Sequence, residues 1–138
     1  MSEQGAKRDI RQLSQEQIKD FFTDVGEKPF RAKQVYEWLW KRSAKDFDQM
    51  TNISLETREL LKAHFEIKHI KVDTMQRSED GTIKNAVKLH DGLTVESVLI
   101  PVGSRITACI SSQVGCSLDC HFCATARLKR MRNLNPDE

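Results

Sequence analysis

The sequence predicts an α+β chain in which a small helical domain precedes an antiparallel β meander. Three observations carry this. Apolar residues recur at helical spacing as far as Ile67, the period changes to two near Ile70, and Asp-Gly pairs punctuate the second region where tight turns belong. A chain of 138 residues can bury a modest core, as one ordinary domain or two small ones. Its 22 Lys+Arg against 20 Asp+Glu leave +2, a balance that neither demands nor forbids an anionic partner. With 38% hydrophobic and 30% charged residues the composition excludes a membrane protein and a disordered tail. No apolar run has the length of a bilayer span, and the stretch from Met1 to Arg11 lacks a signal peptide's apolar core. A cytoplasmic protein with no membrane partner is therefore expected.

The elements follow in order. Ser14 with Gln17 three residues later is a capping-box pattern, and Leu13 is placed for a hydrophobic staple. Ile18, Phe21, Phe22 and Val25 keep helical spacing until Gly26, where the helix should stop. Pro29 suits the first turn of a second helix whose apolar face is Val35, Trp38 and Leu39, broadened by Tyr36 and Trp40. Lys28, Arg31, Lys33, Lys41 and Arg42 cluster around that helix. Ser54 caps a third, in which Leu55, Leu60, Leu61 and Phe65 recur and which should end near Ile67. Strands are expected over 68–78, 82–90 and 94–100, separated by Asp80-Gly81 and Asp91-Gly92. A fourth, over 106–111, follows Pro101 and Gly103. At the end, Asn135-Pro136-Asp137-Glu138 reads as a cap residue, a first-turn proline and two acids, so the chain is expected to be part of something longer.

All four cysteines fall between Cys109 and Cys123. In a chain without an export signal, that clustering argues for a metal site or thiol chemistry over disulfides. Cys116, Cys120 and Cys123 stand as C-x3-C-x2-C, and soft thiolates in one short loop suit zinc or iron–sulfur chemistry. A closed zinc site takes four ligands, often as two C-x2-C pairs, so three close cysteines fit it poorly. A four-iron cluster held by three cysteines would leave one iron open to a substrate or cofactor.

With Phe122 as the aromatic, this C-x3-C-x-aromatic-C loop resembles the cluster loop of radical S-adenosylmethionine (SAM) enzymes. The flanking motifs narrow the resemblance. Gly26-Glu-Lys-Pro-Phe-Arg-Ala, Ser78-Glu-Asp-Gly-Thr-Ile-Lys, Val95-Glu-Ser-Val-Leu-Ile-Pro and Ser111-Ser-Gln-Val-Gly-Cys occur in a fixed order. With Cys123-Ala-Thr and Arg132-Asn-Leu after them, they look like the dual-specificity adenine-C2 methyltransferases of ribosomal and transfer RNA. The stretch Arg127-Leu-Lys-Arg-Met departs from the Gly-containing stretch of some members, outside the cysteine ligands.

The resemblance implies that Cys116, Cys120 and Cys123 hold a [4Fe–4S] cluster whose fourth iron chelates SAM, and that Phe122 packs near the SAM adenine. It implies methylation of carbon 2 of an adenine in large-subunit rRNA and of the adenine beside the anticodon in tRNA. One SAM methylates a cysteine near the C-terminus of such enzymes; a second is cleaved reductively, and its radical activates that methyl group for addition to the ring. Glu96 matches the family's proton acceptor. Cys109 matches the cysteine that pairs in a disulfide with the methylated one to release product. An electron donor such as flavodoxin and a monomeric state are expected. The division implied is an RNA-binding accessory domain over 1–68, a linking meander over 69–101, and over 102–138 the first strand and cluster loop of an incomplete (β/α) radical-SAM barrel. A full (β/α)8 barrel takes about 250 residues, so no turnover is expected from this chain alone.

The residues also have plainer readings. Glu96 shares a strand face with Val98 and Ile100, where burial would make it a stronger base; otherwise it is a strand carboxylate in water. Cys109 is otherwise a small hydrophobe in a strand. His121, between two cysteine ligands, is expected to face solvent or hydrogen-bond, while His64, His69 and His90 are structural. Of Trp38 and Trp40 at least one should be core, the other free to stack on RNA bases. Arg127, Lys129, Arg130 and Arg132 form a solvated face or phosphate contacts. Two rivals remain: a related resistance family that methylates carbon 8 of the same rRNA adenine, and a free-standing RNA-binding module with zinc on Cys116, Cys120, Cys123 and either Cys109 or His121.

Overall fold

The computed structural model describes residues 6–118 and 120–138; residues 1–5, and Asp119 within the cysteine loop, lie outside the described residues. The chain divides into two compact units, the first ending at Lys68 and the second beginning at His69.

The first unit holds strand β1 (Arg8–Asp9), helices α1 (Gln15–Asp24), α2 (Arg31–Trp40) and α3 (Leu55–His64), and strand β2 (Phe65–Glu66), which pairs in parallel with β1. The capping box forms as expected. Ser14 Oγ accepts from the Gln17 N–H at 3.2 Å, and Gln17 Oε1 accepts from the Ser14 N–H at 2.9 Å. Ser54 caps α3 by accepting from the Thr57 N–H. Pro29 lies just ahead of α2, its carbonyl accepting from the Ala32 N–H. Ile18 and Phe22 of α1, Val35 and Leu39 of α2, and Leu61 of α3 close on one core with Met50 and Ile53 from the connection between. Truncating an aromatic in such a core costs about 3–5 kcal/mol.

The third helix ends at His64, short of the expected Ile67. The cause is Asp9, whose side chain is fully buried. Its carboxylate accepts from the Arg11 N–H at 2.8 Å, from the Arg11 guanidinium at 2.8 and 3.1 Å, and from the Lys68 N–H at 2.6 Å. The Arg11 guanidinium also donates to the Lys68 carbonyl. Holding Lys68 there draws the chain after α3 into extended backbone beside β1. The same bond takes the Lys68 N–H away from the sheet, so the first long strand starts later than residue 68.

In the second unit β3 (Lys71–Arg77), β4 (Ile83–Lys88), β5 (Thr94–Val102) and β6 (Arg105–Ile110) form an antiparallel sheet in that order, with a bulge between Val72 and Thr74. The strand expected over 106–111 is β6, the fourth strand of the meander. Both Asp-Gly turns form: Asp80 Oδ1 accepts from the Thr82 N–H at 2.9 Å, and Asp91 Oδ1 from the Leu93 N–H at 3.1 Å. A two-residue ladder, β7 (Gln113–Val114) with β8 (Arg132–Asn133), completes the unit. The expected helix start at the end is a turn, in which the Glu138 N–H bonds the Asn135 carbonyl and the Glu138 carboxylate accepts from the Asn135 N–H. Val87, Leu89 and Val114 are buried, whereas Met75, Ile106 and Ile110 on the outer strands are 64%, 71% and 77% exposed. Among the described residues no helix is long and apolar enough to cross a membrane.

Burial alone would push the Asp9 carboxyl up, but its bonds to Arg11 and to the Lys68 N–H outweigh that and hold it below the ordinary 3.8. A depressed carboxyl stabilises the fold above its unfolded value and ceases to as pH falls through the folded one. Denaturant midpoints should therefore drop as pH is lowered from about 5 to about 2. Asp9→Asn should flatten that dependence and lower stability at pH 7 by roughly 1–3 kcal/mol. An Asn variant with the parent's midpoints at every pH would contradict this role for Asp9.

Candidate functional site

The cysteine loop leaves the sheet after Val114 and returns at Arg132, so β7 and β8 are its two ends. Gly115 makes the closure possible. It sits at φ +75°, and a Cβ there would lie 2.2 Å from the Lys129 carbonyl oxygen. The chain crosses itself at this point: the Cys116 N–H bonds the Leu128 carbonyl at 3.2 Å, and the Met131 N–H bonds that of Val114 at 2.9 Å.

Within the loop Cys116, Cys120 and Cys123 are half-buried, and all four cysteines are free. The Leu118 N–H points at Cys116 Sγ, 3.4 Å away. Cys123 stands at the start of a 3-10 turn, Thr125–Arg127. N–H groups of Ala126 and Thr125, with the Thr125 hydroxyl, hold its thiol below the ordinary value against a smaller upward effect of burial. The donor set suits a three-thiolate cluster in kind: soft ligands in one loop, its ends locked, with amide hydrogens aimed at two sulfurs. Among the described residues, no three His, Cys, Asp or Glu side chains are gathered as a metal site. Phe122 is 94% exposed, and His121 faces solvent as expected.

Sheet register settles the second group. Ala86 lies opposite Glu96, Lys84 opposite Val98, and Val98 opposite Cys109. Thr74 and Gln76 on β3 lie opposite Ala86 and Lys84. Side chains alternate across a sheet, so Glu96 and Cys109 share one face with Lys84, Thr74 and Gln76. The burial expected for Glu96 is not found: its side chain is 60% exposed, and Oε1 lies 2.9 Å from Lys84 Nζ. Neighbouring Val98 is half-buried and Ile100 exposed, so sharing their face does not bury the carboxylate. Thr74, Gln76, Lys84, Ala86 and Glu96 line an open depression of about 220 Å³. Cys109 is exposed too, which removes its plainer reading as a buried hydrophobe. The Ser111 hydroxyl donates to the Glu96 carbonyl at 2.8 Å, tying the approach to the loop to β5.

The remaining candidates separate. Arg132 is not a free phosphate contact, because its guanidinium bonds both oxygens of Glu138 at 2.6 and 2.7 Å and Asp91 at 2.8 Å. Arg127, Lys129 and Arg130 are exposed. Trp38 packs on the helical core with the Arg42 guanidinium 4.4 Å over its ring, and Trp40 is 40% exposed. His64 packs edge-on against Phe21, and His90 Nδ1 lies 3.1 Å from Glu138. No role was expected from the sequence for Gly115, Thr125 and Lys84, yet each stands in a motif: Gly115 precedes the first loop cysteine, Thr125 closes Cys123-Ala-Thr, and Lys84 closes the motif that begins at Ser78.

Comparison with known proteins bears on this arrangement. The family described as ribosomal RNA large subunit methyltransferase N-terminal domain matches residues 8–67. The probable dual-specificity RNA methyltransferase RlmN of Christiangramia forsetii is 72% identical over 132 residues, which are 96% of this chain and 38% of that protein. The dual-specificity RNA methyltransferase RlmN of Oleidesulfovibrio alaskensis is 48% identical over 94% of this chain and 37% of its own length. Among solved structures, a radical SAM methyltransferase from Sphaerobacter thermophilus superposes with a TM-score of 0.78 at 30% identity, covering 92% of this chain and 38% of that one. The mixed helix-and-sheet fold is thus that of part of a radical SAM methyltransferase. The chain is similar to part of the dual-specificity RNA methyltransferases and spans 38% of the length of the Christiangramia relative.

The crossing at Gly115 gives a direct prediction. Gly115→Ala should abolish hydrogen-exchange protection of the Cys116 and Met131 amides while leaving the β4 and β5 amides as they were. Retained protection at both would show that the loop closes without the glycine.

Proposed function

We propose that this chain is part of a radical-SAM RNA methyltransferase that methylates carbon 2 of adenine in large-subunit rRNA and in tRNA beside the anticodon, working in the cytoplasm. The observation that carries the reading is 72% identity over 96% of the chain. An alignment of that extent must include Cys116, Cys120 and Cys123. Residues 1–68 would be its RNA-binding accessory domain and 69–101 a linking meander, which β6 extends by one more antiparallel strand, and the cluster loop within 102–138 would lead into the radical-SAM barrel.

Cys116, Cys120 and Cys123 would hold a [4Fe–4S] cluster with one iron left for SAM. When bound, that pair supplies radical chemistry, which an electrophilic ring carbon needs because it offers no nucleophile to a methyl cation equivalent. The chain's own residues do the rest. Phe122 would cover the adenine of SAM, for which its exposed ring is free. Glu96 would accept the proton that leaves the adenine as methyl replaces hydrogen. Cys109, on the same sheet face, would form a disulfide with the cross-linked cysteine as that cysteine's S–CH2 bond to the RNA breaks, the electron pair leaving on the carbon, which takes a proton to become the product's methyl group. Trp40 and the exposed cations near α2 and after the loop would meet RNA, and a flavodoxin-like donor would supply electrons to a monomeric enzyme.

The test is mass-spectrometric mapping of rRNA and tRNA from cells in which this chain, extended to its relatives' full length, is the only such enzyme. Carbon-2 methyladenine is expected in both RNAs, falling about 10²–10⁴-fold with Glu96→Gln. The 138-residue chain alone should yield none. A carbon-8 product, or no methylated adenine, would overturn the proposal.

A further inference from the structure

The motif that starts at Ser78 ends on Lys84, and the function proposed above leaves that lysine without a task. Its amine makes one polar contact among the described residues, the 2.9 Å ion pair with Glu96. Ala86, directly across from Glu96, is too short to reach it, and its two diagonal neighbours on β4 that share its face are both lysines, Lys84 and Lys88. Lys84 makes the ion pair with Glu96; Lys88, in register with Thr94 and with Lys71, does not. The pair stands at the wall of the depression lined by Thr74, Gln76 and Ala86, with Cys109 on the β6 side of the same face.

We propose that Lys84 is the positioning residue for Glu96: the ion pair fixes the carboxylate over the depression, aimed for proton acceptance. A strand glutamate without such a partner samples several rotamers, and a base must be aimed to act. The pair is half-exposed, so its contribution to folding is small. Whatever Lys84 does should therefore register in catalysis and not in stability. This inference rests on Glu96 being the proton acceptor.

The experiment uses the chain extended to its relatives' full length, with Lys84→Met, Lys84→Arg and Glu96→Gln compared for steady-state kinetics, RNA affinity and thermal melting. Lys84→Met should lower kcat about 10- to 100-fold, less than the loss of the general base itself. Its RNA affinity, KM and melting temperature should match the parent's, and Lys84→Arg should recover most of kcat. An unchanged kcat in Lys84→Met overturns the inference. So does weakened RNA binding at constant kcat, which would make Lys84 a phosphate contact. A lowered melting temperature without rescue by arginine would make it merely structural and overturns the inference equally. Full activity of Glu96→Gln would instead remove the proton-acceptor reading, and the inference with it.

Discussion

Where the backbone passes Gly115, the Lys129 carbonyl occupies the space in which any other residue would carry its Cβ, and most of the second unit's chemistry hangs on that crossing. It lets β7 and β8 pair, which fixes both ends of the cysteine loop. It aligns the Cys116 amide with Leu128, leaving the sulfur to receive the Leu118 N–H. It also brings Arg132 opposite Val114, where its guanidinium is gripped by Glu138 and Asp91. Glu138 is held below its ordinary range chiefly by Arg132, against the upward push of burial. The ends of the loop are thus held by backbone contact and by ion pairs.

The two units draw their stability from different sources. The helical unit has an apolar core with Asp9 as its buried polar anchor, linking β1 to Lys68, two residues past β2. The sheet has few buried apolar side chains, and its order rests on antiparallel ladders and Asp-Gly turns. Its outer strands leave Ile106, Ile110 and Met75 in water. That openness is why Glu96 and Cys109, correctly expected on strands, are found exposed.

What could be read from the sequence was local. The Ser14–Gln17 box, the Ser54 cap and both Asp-Gly turns depend on neighbours within a few residues, and each formed as expected. The two-residue strands β1 and β2 carry no periodic signal, and the bond that creates them joins Asp9 to a residue 59 positions away. Helical periodicity therefore ran on past His64. At the site, C-x3-C-x2-C spacing marked the thiols, and alternation put Glu96 and Val98 on one face. Which residues of β4 stand beside Glu96 is a matter of register, invisible until the strands pair. The crossing over Gly115 is likewise a contact between distant backbone segments, and the tying of Arg132 needed acids from two other places in the chain.

On the proposed function, the closed cysteine loop is a three-thiolate iron–sulfur site with one iron left for SAM. Electron paramagnetic resonance of the anaerobically reconstituted protein, extended to its relatives' full length, tests it most directly. A brown, oxygen-sensitive centre whose signal after reduction changes when SAM is added is expected. A colourless, redox-silent protein carrying one zinc would contradict it.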